Sequence, residues 1–167
     1  MGRRILLFSG VIGLGVFFFF YPLEVLTLTK DNQVLFCKRV NPGDTFQLAF
    51  LHSVALSEVR DFFLIDEKYR MVLTETRFQG QGTGLPYNPA PGEKLHREGD
   101  WFRITGMRRV LPSIYWRVQA PWRNRFRFGN DSEADLSAWI GDALIHIRVQ
   151  KMSPASYFRT CLKSKNF

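Results

Sequence analysis

The feature that most constrains the fold of this chain is a period-two alternation of apolar and polar residues, which recurs in short runs from residue 24 onward. Successive side chains of an extended strand point to opposite faces of a sheet, so this pattern is typical of half-buried β-strands. Turn-forming Asn, Asp, Gly and Pro residues separate the runs. We therefore predict strands over residues 25–29, 34–40, 45–53, 59–65, 71–78, 101–105, 114–118, 123–128, 135–139 and 143–149.

Short strands at a spacing of roughly 8–12 residues predict an all-β fold, either an antiparallel sandwich or a partly closed barrel. The Gly- and Pro-rich segment 79–100 is predicted to be an irregular loop, and loops of this length are often functional. Residues 152–167 begin with Pro and Ser and end with basic residues. This tail is expected to fray or to lie on a membrane.

The N-terminal segment 5–23 carries no charged residue and follows Arg3 and Arg4. Nineteen helical residues reach about 28 Å, close to the hydrocarbon thickness of a bilayer. The two arginines place the N-terminus in the cytoplasm, and an Ala-x-Ala-like cleavage pattern is lacking. The sequence thus predicts one uncleaved transmembrane signal anchor over 1–23, an extracytoplasmic β-rich domain over 24–150 and a basic tail over 151–167.

The formal net charge of +8 comes entirely from residues 101–167, which hold 12 basic and 4 acidic side chains. Such an excess suits anionic lipid, an acidic protein or a nucleic acid, and the predicted export excludes nucleic acid. Arg123, Arg125 and Arg127 alternate with Asn124 and two phenylalanines. We expect the three arginines to line one strand face and to contact an anionic surface.

The only two cysteines, Cys37 and Cys161, do not form a disulfide framework of the kind found in small secreted domains. We expect Cys37 to be a small buried apolar residue and Cys161 to lie in the polar tail. A single bridge between them remains an open alternative in an oxidising compartment.

His52 and Ser53, at the end of a predicted strand, invite comparison with a general base and a nucleophile. Adjacent strand residues point to opposite faces, so no catalytic residue is assigned. We expect both residues to recognise a ligand or partner, together with the carboxylates Glu58, Asp61 and Glu75. The alternative is a hydrolase-like envelope enzyme in which His52 is the general base.

Neither a metal nor a cofactor is predicted. The histidines at 52, 96 and 146 do not have a metal-ligand spacing. The glycines of Gly80-x-Gly82-x-Gly84-Leu85-Pro86 lack the spacing and the following helix of a phosphate-binding loop. We expect these glycines to allow a close approach of backbone to another surface.

Several motifs together resemble a bacterial family catalogued as domain of unknown function 1850. They are Pro42-Gly43-Asp44-x-Phe46, Phe50-Leu51-His52-Ser53-Val54, Glu58-Val59-x-Asp61-Phe62-Phe63 and the glycine loop with Pro86. The resemblance covers about residues 24–150, with its specific motifs confined to 42–86. Where the family pattern has a Glu after Val59, this chain has Arg60-Asp61, which keeps a carboxylate but not that residue.

Members of that family are typically encoded beside TAXI-type TRAP transporters, whose binding proteins deliver organic anions to a permease. The resemblance implies an accessory role, with the permease or the solute-binding subunit as partner, and no established activity comes with it. We expect a binding or accessory protein rather than an enzyme. The expected location is the bacterial inner membrane, with the domain facing the periplasm or the cell exterior. The expected recognition surface comprises His52, Ser53, the nearby carboxylates and the loop with Gly80, Gly82, Gly84 and Pro86. A lipid-contacting structural role for the arginines is the other alternative.

Overall fold

The protein is a sandwich of two antiparallel β-sheets in a computed structural model that describes residues 21–80, 85 and 88–161. The smaller sheet has the strand order β2-β1-β12-β9, and the larger has the order β11-β10-β3-β4-β5-β7-β6, with β8 also paired to β5. The strands are β1 Leu23–Lys30, β2 Gln33–Arg39, β3 Thr45–Leu51, β4 Glu58–Ile65, β5 Met71–Gln79, β6 Lys94–Glu98, β7 Trp101–Thr105, β8 Arg109–Leu111, β9 Ile114–Val118, β10 Arg125–Phe128, β11 Ala134–Asp135 and β12 Ala143–Met152. The expected all-β antiparallel architecture is therefore confirmed.

The main core fills the space between the two sheets. Leu26, Leu28, Ile145 and Ile147 come from the smaller sheet, and they meet the inward side chains of β3, β4 and β10. Aromatic pairs contribute much of this contact: the Phe46 and Phe63 rings stack at 4.6 Å, and Phe36 meets Phe126 edge-on at 5.0 Å. Phenylalanine side chains thus fill much of the space between the two sheets.

The two sheets are aligned, so the sandwich has two distinct ends. At the entry end, where β1 begins, Lys38 near the end of β2 forms an ion pair with Asp131, which follows β10. At the far end, Phe50 near the end of β3 packs against Trp116. Trp116 lies opposite Ile145 on β12, which in turn lies opposite Lys30, the last residue of β1. The turn after β3 therefore lies at the end opposite to the start of β1.

The described part of the C-terminal tail does not fray, contrary to one of the two expectations from the sequence. Residues Pro154–Cys161 form helix α2, which packs on the outer face of the smaller sheet. Cys161 is buried there with Val25 and Cys37, and the two cysteines form a disulfide with a Cα–Cα distance of 5.1 Å. The assignment of Cys161 to a polar tail was wrong because the helix brings it over Cys37.

Three other predicted elements differ from the structure. The predicted strand 135–139 is instead a helix, α1 (Leu136–Ile140), because the Asp135 carboxylate accepts a hydrogen bond from the Ala138 amide and caps its first turn. The loop 79–100 contains β6, and β8 was missed because it has only three residues.

Among the described residues, no helix is both long and apolar enough to cross a bilayer. The predicted anchor lies outside them, apart from residues 21–23.

The β6–β7 hairpin is held against the loop before it by a close backbone approach at Gly106. A Cβ at this position would lie 2.9 Å from the carbonyl oxygen of Gly92, and Gly106 has a φ of +76°. Both the contact and the backbone conformation therefore require glycine here. This packing fixes the start of β6 relative to the end of β7.

Candidate functional site

The structure distributes the predicted recognition residues over different parts of the domain. Glu58 and Glu75 lie on the outer face of the larger sheet, because Glu75 pairs in register with outward-facing Phe62. Asp61 lies on the opposite, inner face with its register partner Thr76. Gly80 follows β5, and Gly82, Gly84 and Pro86 lie outside the described residues. The carboxylates therefore do not converge on one surface.

His52 stabilises the turn that joins β3 to β4. The strand ends at Leu51, so His52 does not continue the apolar face of Phe46, Leu48 and Phe50. Its Nδ1 accepts hydrogen bonds from the backbone amides of Val54 at 3.3 Å and Ala55 at 3.2 Å. An Nδ1 that accepts twice must be unprotonated, which places the proton of the neutral ring on Nε2. The His52 ring is thus engaged with backbone.

The turn presents two aliphatic side chains to solvent. Val54 is 68% exposed and Leu56 is 67% exposed, while Ser53 is exposed beside them. Leu56 has a φ of +49°, a conformation that is costly for a residue with a branched side chain. The hydrogen bond from the Leu56 amide to the His52 carbonyl, at 2.8 Å, helps to hold it there. The turn is therefore a rigid projection at the far end of the sandwich.

We expect His52→Ala to lower the free energy of unfolding by about 1–2 kcal/mol, because two backbone amides lose their acceptor. His52→Asn is the matched control, since its side-chain carbonyl oxygen can accept hydrogen bonds from amides two and three residues later. It should cost less than about 0.5 kcal/mol. Urea unfolding of both variants measures the difference. Equal losses in the two variants would show that ring packing, rather than the acceptor, stabilises the turn.

The outer face of the larger sheet carries a row of arginines that runs straight across its strands. Arg60 on β4 lies directly opposite Arg77 on β5, and Arg77 lies opposite Arg103 on β7. On the other side of Arg60, Ala49 separates it from Arg125 on β10. We call Arg125, Arg60, Arg77 and Arg103 the arginine row.

Three carboxylates bridge the members of this row in pairs, and one of them, Glu133, lies 3.0 Å from Arg125 and 3.9 Å from Arg60. Glu58 accepts from Arg60 at 2.5 Å and from Arg125 at 2.8 Å. Glu75 accepts from Arg77 at 2.5 Å and from Arg103 at 2.8 Å. Burial acts to raise the pKa of Glu75, but the hydrogen bonds from Arg103 and Arg77 outweigh it and lower the pKa. Glu75 is therefore ionised at neutral pH.

The arginine row borders a groove of about 440 Å³. A fifth arginine, Arg127 on β10, enters the groove and donates from Nη2 to the Gln47 side-chain oxygen at 2.6 Å. Within the described residues Arg127 has no carboxylate partner, and its buried Nε has no acceptor. The groove is lined by Gln47, Arg60, Phe62, Arg77, Glu98, Trp101, Arg103 and Arg127. It is suited to an anionic group.

The predicted stripe of Arg123, Arg125 and Arg127 is only partly correct. Arg125 and Arg127 share the outer face of β10, with Phe126 and Phe128 buried behind them. Arg123 precedes the strand and ends a short 3-10 helix, Ala120–Trp122, with a φ of +45°. Arg125 is also neutralised, since Glu133 pairs with it at 3.0 Å in addition to Glu58. The stripe is therefore not a free cationic face.

Asp61 is the most perturbed buried acid in the described residues. Its carboxylate accepts a hydrogen bond from the Thr76 hydroxyl at 2.8 Å on the inner face of the larger sheet. Burial raises its pKa to about 6, although the Thr76 hydrogen bond and the charge of Arg109 act in the opposite direction. Asp61 is thus a titrating group behind the groove rather than in it.

The arginine row was missed by sequence reasoning because its members come from four strands that are far apart in the chain. A partial signal exists, since Arg60, Arg77 and Arg103 each stand at a polar position of an alternating run. The alignment of the whole row depends on the register of four strand pairs, which the pattern does not specify. No group of three or more potential metal ligands was found in the part of the chain that the structure describes.

Comparison with known proteins gives one match. The model of a family described as "Domain of unknown function (DUF1850)" matches residues 46–134, just over half of the chain. This range contains the His52 turn, all of the arginine row and the whole lining of the groove. No curated protein and no solved structure is significantly similar to the chain.

Proposed function

Since this chain belongs to the DUF1850 family, whose description assigns no activity, we propose that it is a membrane-anchored extracytoplasmic binding or accessory protein that holds an anionic group in the groove. The observation that carries this proposal is the arginine row. Like charges placed directly opposite on neighbouring strands destabilise a sheet. Glu58 and Glu75 offset this repulsion within the row, but Arg127 beside it has no carboxylate partner among the described residues, and this remaining positive charge favours a role in anion binding.

The charges around the groove leave room for an additional anion. Four arginines line the groove, with Glu98 as the one carboxylate among its described lining residues. Arg60 is paired with Glu58, and Arg77 and Arg103 are paired with Glu75, so Arg127 carries the charge that remains. Arg127 is bound to the neutral amide of Gln47 instead of a carboxylate. A carboxylate or similar group could accept from its guanidinium in a planar, two-point arrangement. Phe62 and Trp101 add apolar contact area for the body of an organic anion.

Two features support the proposed anchoring outside the cytoplasm. The disulfide between Cys37 and Cys161 suits an oxidising compartment, since such bridges are rare in the cytosol. The uncharged segment 5–23 runs directly into β1, which begins at the last residue of the segment, Leu23. A helix over this segment would hold the entry end of the sandwich close to the bilayer. The His52 turn would then point away from the membrane, where a partner protein can reach it.

The association with a TAXI-type TRAP transporter remains part of the proposal. An accessory protein that binds the transported anion, or an acidic surface of the binding protein, would need a cationic groove of this kind. The permease or the solute-binding subunit is accordingly the proposed partner. The anion can be the solute itself or a carboxylate of the partner, and the two are separated by the experiments below.

The first experiment measures anion binding directly. Titration of the detergent-solubilised full chain with acetate, glutarate and citrate at low salt should show at least one carboxylate with a Kd below about 1 mM. Arg127→Gln should weaken that binding at least tenfold, about 1.4 kcal/mol, because the one guanidinium without a carboxylate partner is lost. Arg117→Gln, an equal charge change on the exposed outer face of the smaller sheet, is the control. An equal effect of both variants would indicate non-specific charge attraction.

The second experiment tests the partner. A tagged full-length chain, crosslinked in its native membrane, is expected to co-purify with the neighbouring TRAP components. Arg127→Gln should reduce this recovery if the groove contacts an acidic surface of the partner, and leave it unchanged if the groove holds the solute. Recovery of the chain alone, together with unchanged solute uptake in a deletion strain, would contradict the transport role.

A further inference from the structure

Strand β6 forms an open edge of the larger sheet. It is the last strand in the sheet order, and among the described residues only β7 pairs with it. All five of its residues, Lys94–Glu98, are exposed. One row of backbone N–H and C=O groups along β6 is therefore available to an additional strand.

Each face of β6 carries one lysine or arginine, Lys94 on the outer face and Arg97 on the inner face. Lys94 and His96 lie on the outer face, where His96 is opposite Arg103 and so continues the arginine row by one strand. On the inner face, Arg97 lies over the Phe102 ring at 5.6 Å, next to Leu95, which is partly exposed. Glu98, the one acidic residue of the strand, lies 3.5 Å from Arg103. A strand added here would meet positive charge on either side.

We propose that β6 binds an extended acidic segment of a partner protein as an additional strand of the larger sheet. Main-chain hydrogen bonds would supply affinity, and alternate side chains would supply specificity. Acidic residues on the outer face of the added strand would lie beside Lys94 and His96. Apolar residues on its inner face would lie beside Leu95 and the stem of Arg97. The inference names the kind of partner segment used by the proposed accessory function, and so it rests on that function.

A second copy of this chain matches the edge less well than an acidic segment does. In an antiparallel pair of β6 strands centred on His96, Lys94 lies opposite Glu98, but Arg97 lies opposite Leu95 and gains no carboxylate. The position of the strand also favours an external segment. The approach of Gly106 to Gly92 holds the beginning of β6 in place, so the edge is ordered before any partner binds.

The test uses the full-length chain in detergent micelles and three eight-residue peptides. The first alternates Glu with Val, the second replaces each Glu by Gln, and the third keeps the Glu–Val sequence but carries N-methyl groups on alternate amides of its hydrogen-bonding edge. The acidic peptide is expected to bind, and each of the other two should bind at least tenfold more weakly. Hydrogen exchange of the β6 amides should slow when the acidic peptide is present.

Paired variants separate this inference from the groove. The double variant Lys94→Glu/Arg97→Glu should weaken peptide binding at least tenfold and leave citrate binding unchanged, whereas Arg127→Gln should do the reverse. Equal binding of the N-methylated peptide would overturn the inference, because it would show charge attraction without strand pairing. No binding of the acidic peptide, or a dimer of the free chain through β6, would also overturn it. The groove result would be unaffected.

Discussion

Replacement of both cysteines by alanine (C37A/C161A) is expected to lower the free energy of unfolding by about 2–5 kcal/mol. The bridge joins residues 124 positions apart and so restricts the unfolded chain over most of the domain. It also ties helix α2 to the outer face of the smaller sheet, where Cys161 packs beside Val25. Urea unfolding measured by circular dichroism would give the change, with a steeper slope expected in the variant because its unfolded chain is no longer cross-linked.

A reductant gives an independent measure of the same bridge. Wild-type protein unfolded in the presence of a thiol reductant should lose stability by a similar amount, whereas the double variant should not respond. Two titratable thiols in the oxidised, denatured wild-type protein would contradict the disulfide. In that case the support that the bridge gives to export would be lost as well.

The alternating pattern predicted most of the strands of the sandwich because a strand that is buried on one face has an apolar residue at every second position. Runs such as 45–51 and 143–149 place an apolar side chain at every second position, and these residues lie in β3 and β12. The pattern is less informative where a polar side chain forms a hydrogen bond with the backbone and so starts a helix. Asp135 caps a helix where the sequence pattern predicted a strand. Cys161 is buried by a helix where the sequence predicted a polar tail.

The candidate site could be predicted only in part, because its geometry depends on register. A bulge between Phe62 and Phe63 shifts the pairing of β4 with β5, so the partner of Arg60 cannot be obtained by counting back from the hairpin turn. The single-strand stripe was easier to see, yet Arg123 falls outside the strand and Arg125 is neutralised. Arg127 is the member of that stripe that lies in the groove and has no carboxylate partner among the described residues.

Strand β4 carries groove residues on one face and Asp61 on the other, which gives the groove a titrating group directly behind it. Arg60 and Phe62 point outward, and Asp61 between them points to the inner face. A change in the charge of Asp61 therefore acts on the strand that positions two lining residues of the groove. The free energy of unfolding of the protein should therefore depend on pH through Asp61.

Asp61→Asn is expected to stabilise the protein at pH 7 by about 1–3 kcal/mol. The pKa of Asp61 is raised from 3.8 to about 6 in the folded state, mainly by burial. Between these two pH values the folded chain binds a proton that the unfolded chain has lost, so stability falls as the pH rises. Above about pH 6 the full penalty for a buried charge is present, on the order of 3 kcal/mol. Asparagine avoids this charge and keeps an acceptor for the Thr76 hydroxyl.

The decisive observation is how the effect of Asp61→Asn changes with pH. Urea unfolding at pH 4 and pH 7 should show a stabilisation that is small at the lower pH and larger at the higher one. Asp66→Asn is the opposite control, because hydrogen bonds from Arg70 lower the pKa of Asp66 to about 2. Its carboxylate stabilises the fold above pH 3.8, so its removal should destabilise at pH 7. If Asp61→Asn changed the free energy of unfolding equally at both pH values, Asp61 would not titrate in this range. Burial would then not be the cause that raises its pKa.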